Sequence, residues 1–151
     1  MQTSGRLIFD PLPINGNRNM FKPYWAIVQM DCDIDSYYRW FLEKRYNIKL
    51  IKPAWGAHIS IIRGEPCEQW EYFKSKYNNK IIDFEYNLEF KTNGQHWWLN
   101  IVCDELKAIR QEMGYNSNGI GLHLTLGQPI PLHTEFSEYL WNLYKKELLN
   151  L

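Results

Sequence analysis

His58-Ile59-Ser60-Ile61 and His123-Leu124-Thr125-Leu126 are one tetrapeptide pattern written twice: histidine, aliphatic, hydroxyl, aliphatic. The first follows a turn at Pro53-Ala54-Trp55-Gly56, and the second follows a Gly/Asn loop over 115–121. Alternation of this kind marks a strand, in which successive side chains point to opposite faces. His58 and Ser60 therefore share one face, with Ile59 and Ile61 behind them. His123 and Thr125 likewise share a face, with Leu124 and Leu126 behind. With 4 His and 10 Ser or Thr in 151 residues, a single match would be ordinary, whereas two in corresponding places are a signal.

Around each motif the chain repeats one arrangement. The run Tyr24-Trp25-Ala26-Ile27-Val28-Gln29-Met30 is rich in strand formers. Asp33 or Asp35 caps a helix over 36–47, with Tyr37, Trp40 and Phe41 on one face. A short strand at 50–52 leads to the first histidine strand over 58–63. A second helix over 66–77 sets Trp70, Phe73 and Tyr77 on one side. A long strand over 81–91 meets Asn93-Gly94, the strongest hairpin signal in the chain, and returns over 95–103. Asp104 caps a third helix to Met113, which Gly114 stops. The second histidine strand spans 122–127. Pro129 and Pro131 turn the chain, and Thr134 caps a last helix with Phe136, Leu140, Leu143 and Tyr144 inward. Residues 1–23, with Pro11, Pro13, Gly16, Pro23 and three Asn, read as an irregular arm.

No linker interrupts this order, so we expect one α+β domain over 1–151. In each half a strand leads to a helix and then to a strand carrying a histidine. That duplication suggests two lobes of similar build around a cleft.

Composition narrows the function classes. The 17 basic and 17 acidic residues cancel. A protein that tracks a long polyanion carries a basic excess, because each phosphate contact recruits Lys or Arg. Neutrality thus argues against duplex or long-RNA binding and leaves room for a small anion held in one pocket. Cys32, Cys67 and Cys103 are odd in number and far apart, which favours reduced thiols in the cytoplasm. No apolar run approaches the roughly 20 residues that span a bilayer, and residues 1–10 lack an apolar signal core. A soluble monomer with no membrane partner is expected. The 7 Trp, 10 Tyr and 7 Phe are an unusual share; an aromatic-rich core accounts for most of it, and a surplus of flat side chains also suits stacking on nucleobases.

Two histidines suit phosphodiester cleavage, which needs one proton removed from the nucleophile and one given to the leaving oxygen. Imidazole titrates near neutrality, so one ring can be neutral while the other is protonated. The hydroxyls of Ser60 and Thr125 can donate to non-bridging phosphate oxygens, where charge develops. The scheme needs no metal or other cofactor, and no His/Asp/Glu cluster has metal-ligand spacing. His96 and His133 lack the motif and read as ordinary surface or structural residues.

The paired His-x-Ser/Thr motifs, 65 residues apart, resemble those of the 2H phosphoesterase superfamily, which includes bacterial RNA 2′,3′-cyclic phosphodiesterases once called 2′-5′ RNA ligases. The likeness runs from Tyr24 to the last helix, and Trp98-Leu99-Asn100-Ile101-Val102 looks like the family's strand before the helix that precedes its second motif. It implies a bilobal α+β fold, two antiparallel sheets facing a central cleft with helices outside. In length, Pro/Asn-rich arm, aromatic content and motif spacing, the chain further resembles the anti-CBASS cyclic-oligonucleotide phosphodiesterases of T4-like tailed phages.

That resemblance implies His58 and His123 as general base and general acid, with Ser60 and Thr125 as phosphate clamps. It implies a cyclic di- or trinucleotide substrate, such as 3′,3′-cyclic GMP-AMP, cut in the host cytoplasm to blunt an antiphage defence. Base stacking would fall to Tyr24, Trp55 and Trp98. Trp25, Trp40, Trp70 and Trp141, on apolar faces, read as core. The alternatives are an RNA-end phosphodiesterase and a non-catalytic nucleotide sponge.

Overall fold

The computed structural model describes residues 1–13, 22–30 and 33–129. Within them the order is β1 (Gln2–Phe9), β2 (Trp25–Met30), α1 (Ile34–Tyr46), β3 (Leu50–Ile51), β4 (His58–Arg63), α2 (Trp70–Tyr77), β5 (Ile81–Thr92), β6 (Trp97–Val102), α3 (Asp104–Glu112) and β7 (His123–Pro129). The class is α+β. The expected last helix, His133, Trp141 and Cys32 lie outside the described residues.

All strand pairs are antiparallel, in the order β3-β7-β4-β2-β1-β5-β6, with a further ladder between β7 and β6. β7 uses both edges: β4 pairs along one and β6 along the other, while β3 pairs with its last residues. The ladder β7-β4-β2-β1-β5-β6 therefore returns to β7. Among the described residues the strands form one seven-stranded antiparallel sheet, in which β7 joins the two halves.

One face of the sheet is aliphatic. Val28, Ile59, Leu99 and Leu124 are all 0% exposed and form one cluster with Tyr38 and Leu42 of α1, Trp70 and Phe73 of α2, and Leu106 and Ile109 of α3. Burial of such side chains supplies about 1.5–3 kcal/mol each and fixes which face the helices cover.

Two β-bulges shape the other face. Ala26 pairs with Ile62, but Ile27 pairs with Ser60, so Ile61 is an extra residue. On β7, Trp97 pairs with Gly127 and Trp98 with Thr125, so Leu126 is extra. Each bulge comes one residue after a motif hydroxyl. Each bulge carbonyl also accepts from a helix arginine: Ile61 from Arg110 Nη1, and Leu126 from Arg39 Nη1 at 3.5 Å. Both arginines are anchored by carboxylates, Arg110 forked on Glu65 at 2.9 and 2.8 Å, and Arg39 on the buried Asp35 at 2.5 Å. The sequence duplication thus extends to matched bulges and matched arginine supports.

Several local expectations change. Residues 2–9 of the expected arm are β1, between β2 and β5. Gly5, a breaker in sequence terms, is what lets the strand fit: a Cβ there would lie 2.6 Å from Met30 Cε and 2.7 Å from Gln29 O. On α1 the buried residues are Asp35, Tyr38 and Leu42, while Tyr37 and Trp40 are 59% and 55% exposed. Tyr37 and Trp40 therefore face outward while Phe41 stacks on Phe90 at 5.5 Å, and Trp40 is not core, because Tyr38 and Leu42, four apart, take the packed face. Trp70 is buried. The hairpin turn at 93–96 has Gly94 at φ +86, and Asn93 Oδ1 accepts from the amides of Gln95 and His96.

Candidate active site

The two motifs lie side by side in opposite directions. His58 pairs with Thr125, and Ile59 with Leu124, across the β4–β7 ladder. On the far edge of β7, Trp98 pairs with Thr125 and Asn100 with His123. Directly opposed residues of an antiparallel pair share a face. His58, Thr125 and Trp98 therefore form one row. Continuing the register by one residue sets Ser60 opposite His123, so Ser60, His123 and Asn100 form the adjacent row. Ile59, Leu124 and Leu99 fill the opposite face, and all three are 0% exposed. The cross-over is specific: the imidazole of each motif stands beside its own hydroxyl and opposite the other's.

A glycine stands two residues upstream of each histidine, and His58 Nδ1 donates to the Gly56 carbonyl at 2.8 Å. A carbonyl can only accept, so the bonded His58 Nδ1 carries hydrogen and Nε2 of the neutral ring is left as an acceptor. The working motif is thus Gly-x-His-x-hydroxyl, Gly56 to Ser60 and Gly121 to Thr125. Both glycines were legible in the sequence as part of the repeat, though only the tetrapeptides drew attention. Gly56 has φ +66, a conformation that glycine adopts at little cost.

Burial holds both histidines below the ordinary imidazole value of 6.5. For His58, the Gly56 carbonyl opposes this, Arg63 reinforces it and Asp35 opposes it weakly. For His123, Arg63 follows burial as a lowering influence, the Gly121 carbonyl opposes, and His58 and His96 lower it further. Near neutral pH both rings are uncharged when the site holds no anion.

Each imidazole also has a tryptophan. Trp55 meets His58 edge-on at 5.7 Å, and Trp98 meets His123 at 5.6 Å and 49°. Trp55 is stacked on Trp25 at 6.2 Å, so Trp25, read as core from sequence, is a half-buried member of this group. Tyr24 is not brought to the histidines: its ring packs edge-on against Trp70 at 5.5 Å, on the α2 side.

Beside the rows a cavity of about 350 Å³ is lined by Ser60, Arg63, Glu65, Arg110, Asn116 and Gly121, among others. Arg63 escaped the sequence reading, because an odd step of three from Ser60 puts it on the opposite face of an unbroken strand. No group of three His, Cys, Asp or Glu side chains converges among the described residues. Nor is any described helix long and apolar enough to cross a membrane.

Compared with protein-family models, curated proteins and solved structures, the chain gives no match.

Proposed function

We infer that the chain is a 2H-type phosphodiesterase, with His58 and His123 as its acid–base pair. The observation that carries this is the crossed placement of two His-x-hydroxyl motifs on adjacent antiparallel strands, each ring opposite the other motif's hydroxyl. A phosphoryl group centred between the rows would have an imidazole on either side and a hydroxyl donor near each imidazole. The bilobal description of the fold goes with this reading, with the β4–β7 ladder as the seam between the halves.

The reaction proceeds by in-line transfer. A ribose 2′-hydroxyl attacks its own 3′-phosphorus while a neutral histidine takes the hydroxyl proton. The O2′–P bond forms and the P–O5′ bond breaks, and the second histidine, protonated, gives its proton to O5′. The product carries a 2′,3′-cyclic phosphate. Water then opens that ring with the two histidines in exchanged roles, restoring the starting protonation states. Donors from Ser60 and Thr125 stabilise the charge that builds on the non-bridging oxygens. No step calls for a metal.

The substrate class proposed is a cyclic di- or trinucleotide messenger, such as 3′,3′-cyclic GMP-AMP, and the role is to remove such a signal from a bacterial CBASS defence during phage infection. Zero net charge fits a compact ligand better than a long strand. Trp55 and Trp98, flanking the two rings, offer base-tolerant stacking worth about 1–3 kcal/mol per base.

The deciding experiment incubates purified protein with 3′,3′-cyclic GMP-AMP and EDTA and identifies products by chromatography and mass spectrometry. Linear products, some ending in a cyclic phosphate, are expected. An untouched ligand moves the assignment to an RNA-end phosphodiesterase, and a bound but uncut ligand to a sponge.

A further inference from the structure

Arg63 ends β4 and belongs, by chain position, with the aliphatic side. The bulge at Ile61 reverses that. Beyond it Ile62 pairs with Ala26 and Arg63 with Trp25. Trp25 lies two residues from Ile27, which pairs with Ser60, so Arg63 returns to the face of Ser60 and His58. Bulges beside functional sites commonly re-aim a side chain in this way. The cavity that borders Ser60 is lined by Arg63 as well, together with Ile61, Glu65 and Arg110.

The site's two arginines are in different states. Arg110 is 3% exposed and its terminal nitrogens are spent on Glu65, the Ile61 carbonyl and the Asn116 carbonyl. Arg63 is exposed, and among the described residues no carboxylate pairs with it. Its positive charge is felt by His58, His123 and Arg110 alike. Burial and Arg110 disfavour the Arg63 charge, and the Glu65 carboxylate that favours it is already forked on Arg110, which leaves the guanidinium available to an incoming anion. At the equivalent place in the second motif, three residues after the hydroxyl, the chain has neutral Gln128, so only one half supplies this charge.

We propose that Arg63, aimed by the Ile61 bulge, is the anion-binding residue of the site and holds the non-bridging oxygens of a phosphoryl group between His58 and His123. The guanidinium fork suits two oxygens of one phosphoryl group. Burial is the main reason the histidines are held below the ordinary imidazole value, with Arg63 adding to it; an anion bound here offsets the Arg63 part and so favours the protonated imidazole that the reaction needs. The proposal rests on the phosphodiesterase reading for its consequence in catalysis, but anion binding is measurable without turnover.

Inorganic phosphate is titrated into wild type, Arg63→Gln and Arg63→Lys, and the ring protons of His58 and His123 are followed by NMR above the ordinary imidazole pKa. Phosphate should move both signals in wild type. Affinity should fall about tenfold or more in Arg63→Gln, the scale of a lost charge-assisted contact, with Arg63→Lys intermediate. Without phosphate, both histidines should titrate at higher pH in Arg63→Gln than in wild type. Equal phosphate affinity in wild type and Arg63→Gln, or signals that phosphate leaves unmoved in wild type, overturns the assignment. Wild-type kcat/KM on a cyclic dinucleotide in Arg63→Gln overturns it too and leaves the phosphodiesterase standing. Arg63-dependent phosphate binding in a wild-type protein that cleaves nothing supports the anion site and overturns the phosphodiesterase reading.

Discussion

His58 and Thr125 stand directly opposite each other across the β4–β7 ladder, so the hydroxyl of the second motif lies beside the imidazole of the first. The arrangement makes one surface from two motifs 65 residues apart, with neither complete alone.

Replacing either imidazole should stop turnover while leaving the fold. His58→Gln and His123→Gln are expected to lower kcat by about 10²–10⁴, the usual contribution of a positioned acid or base. Steady-state rates on a cyclic dinucleotide, with circular dichroism as the folding control, check this. A rate within a few-fold of wild type in either variant removes that histidine from the mechanism.

The tryptophans should act on binding more than on chemistry. Trp98→Ala and Trp55→Ala are expected to raise KM about 5- to 150-fold each, the equivalent of about 1–3 kcal/mol of stacking, with kcat less affected. Tyr24→Phe should change neither, since the Tyr24 ring packs against Trp70. An effect confined to Tyr24 would reverse this assignment.

Activity and stability should respond to pH in opposite ways. Both histidines are lowered by burial and by Arg63, so the form with one ring protonated and one neutral peaks below pH 6.5. The bell of kcat/KM is expected to centre on the acid side of that value and to move up in Arg63→Gln. For stability the sign runs the other way. The unfolded chain takes up protons first as pH falls through 6.5, so the contribution of the buried rings is full above 6.5 and is lost as pH falls through their folded values. Urea midpoints measured across this range should fall with pH and do so less steeply in His58→Gln.

Arg110→Met should damage the site through the bulge. The substitution frees the Ile61 carbonyl and the Glu65 carboxylate of their donor, and a loss of about 1–3 kcal/mol is expected from the unmet bonds. Because the bulge aims Arg63, kcat/KM should fall as well, although the terminal nitrogens of Arg110 are themselves taken up by Glu65 and backbone carbonyls. Denaturant midpoints together with kcat/KM report both effects, and unchanged activity would show that the bulge holds without this support.

Gly5→Ala tests β1 as an integral strand. An added methyl meets Met30 Cε at 2.6 Å and the Gln29 carbonyl at 2.7 Å, and only the first can yield. A destabilisation of about 1–3 kcal/mol is expected from overpacking, read as a lower denaturant midpoint with unchanged slope. A neutral substitution would mean that β1 is not clamped between β2 and β5.

The sequence by itself determined the local features. The two histidine strands, the Asn93-Gly94 hairpin and the helix from Asp104 to the stop at Gly114 each depend on a few neighbouring residues and were readable from alternation, turn chemistry and the glycine stop, although Asp104 opens the helix and Cys103, not Asp104, holds the cap position. The α+β class followed from them. Tertiary structure alone decided what depends on a distant partner. β1 is a strand because β2 and β5 flank it, although the prolines, Gly16 and asparagines downstream read as an irregular arm. Tyr37 and Trp40 lie outside because Tyr38 and Leu42 win the packed face of α1. The single seven-stranded sheet depends on β7, which pairs on both edges. Arg63 reaches the histidines only because the register against β2 slips at Ile61, and register is a property of two strands that neither one encodes alone.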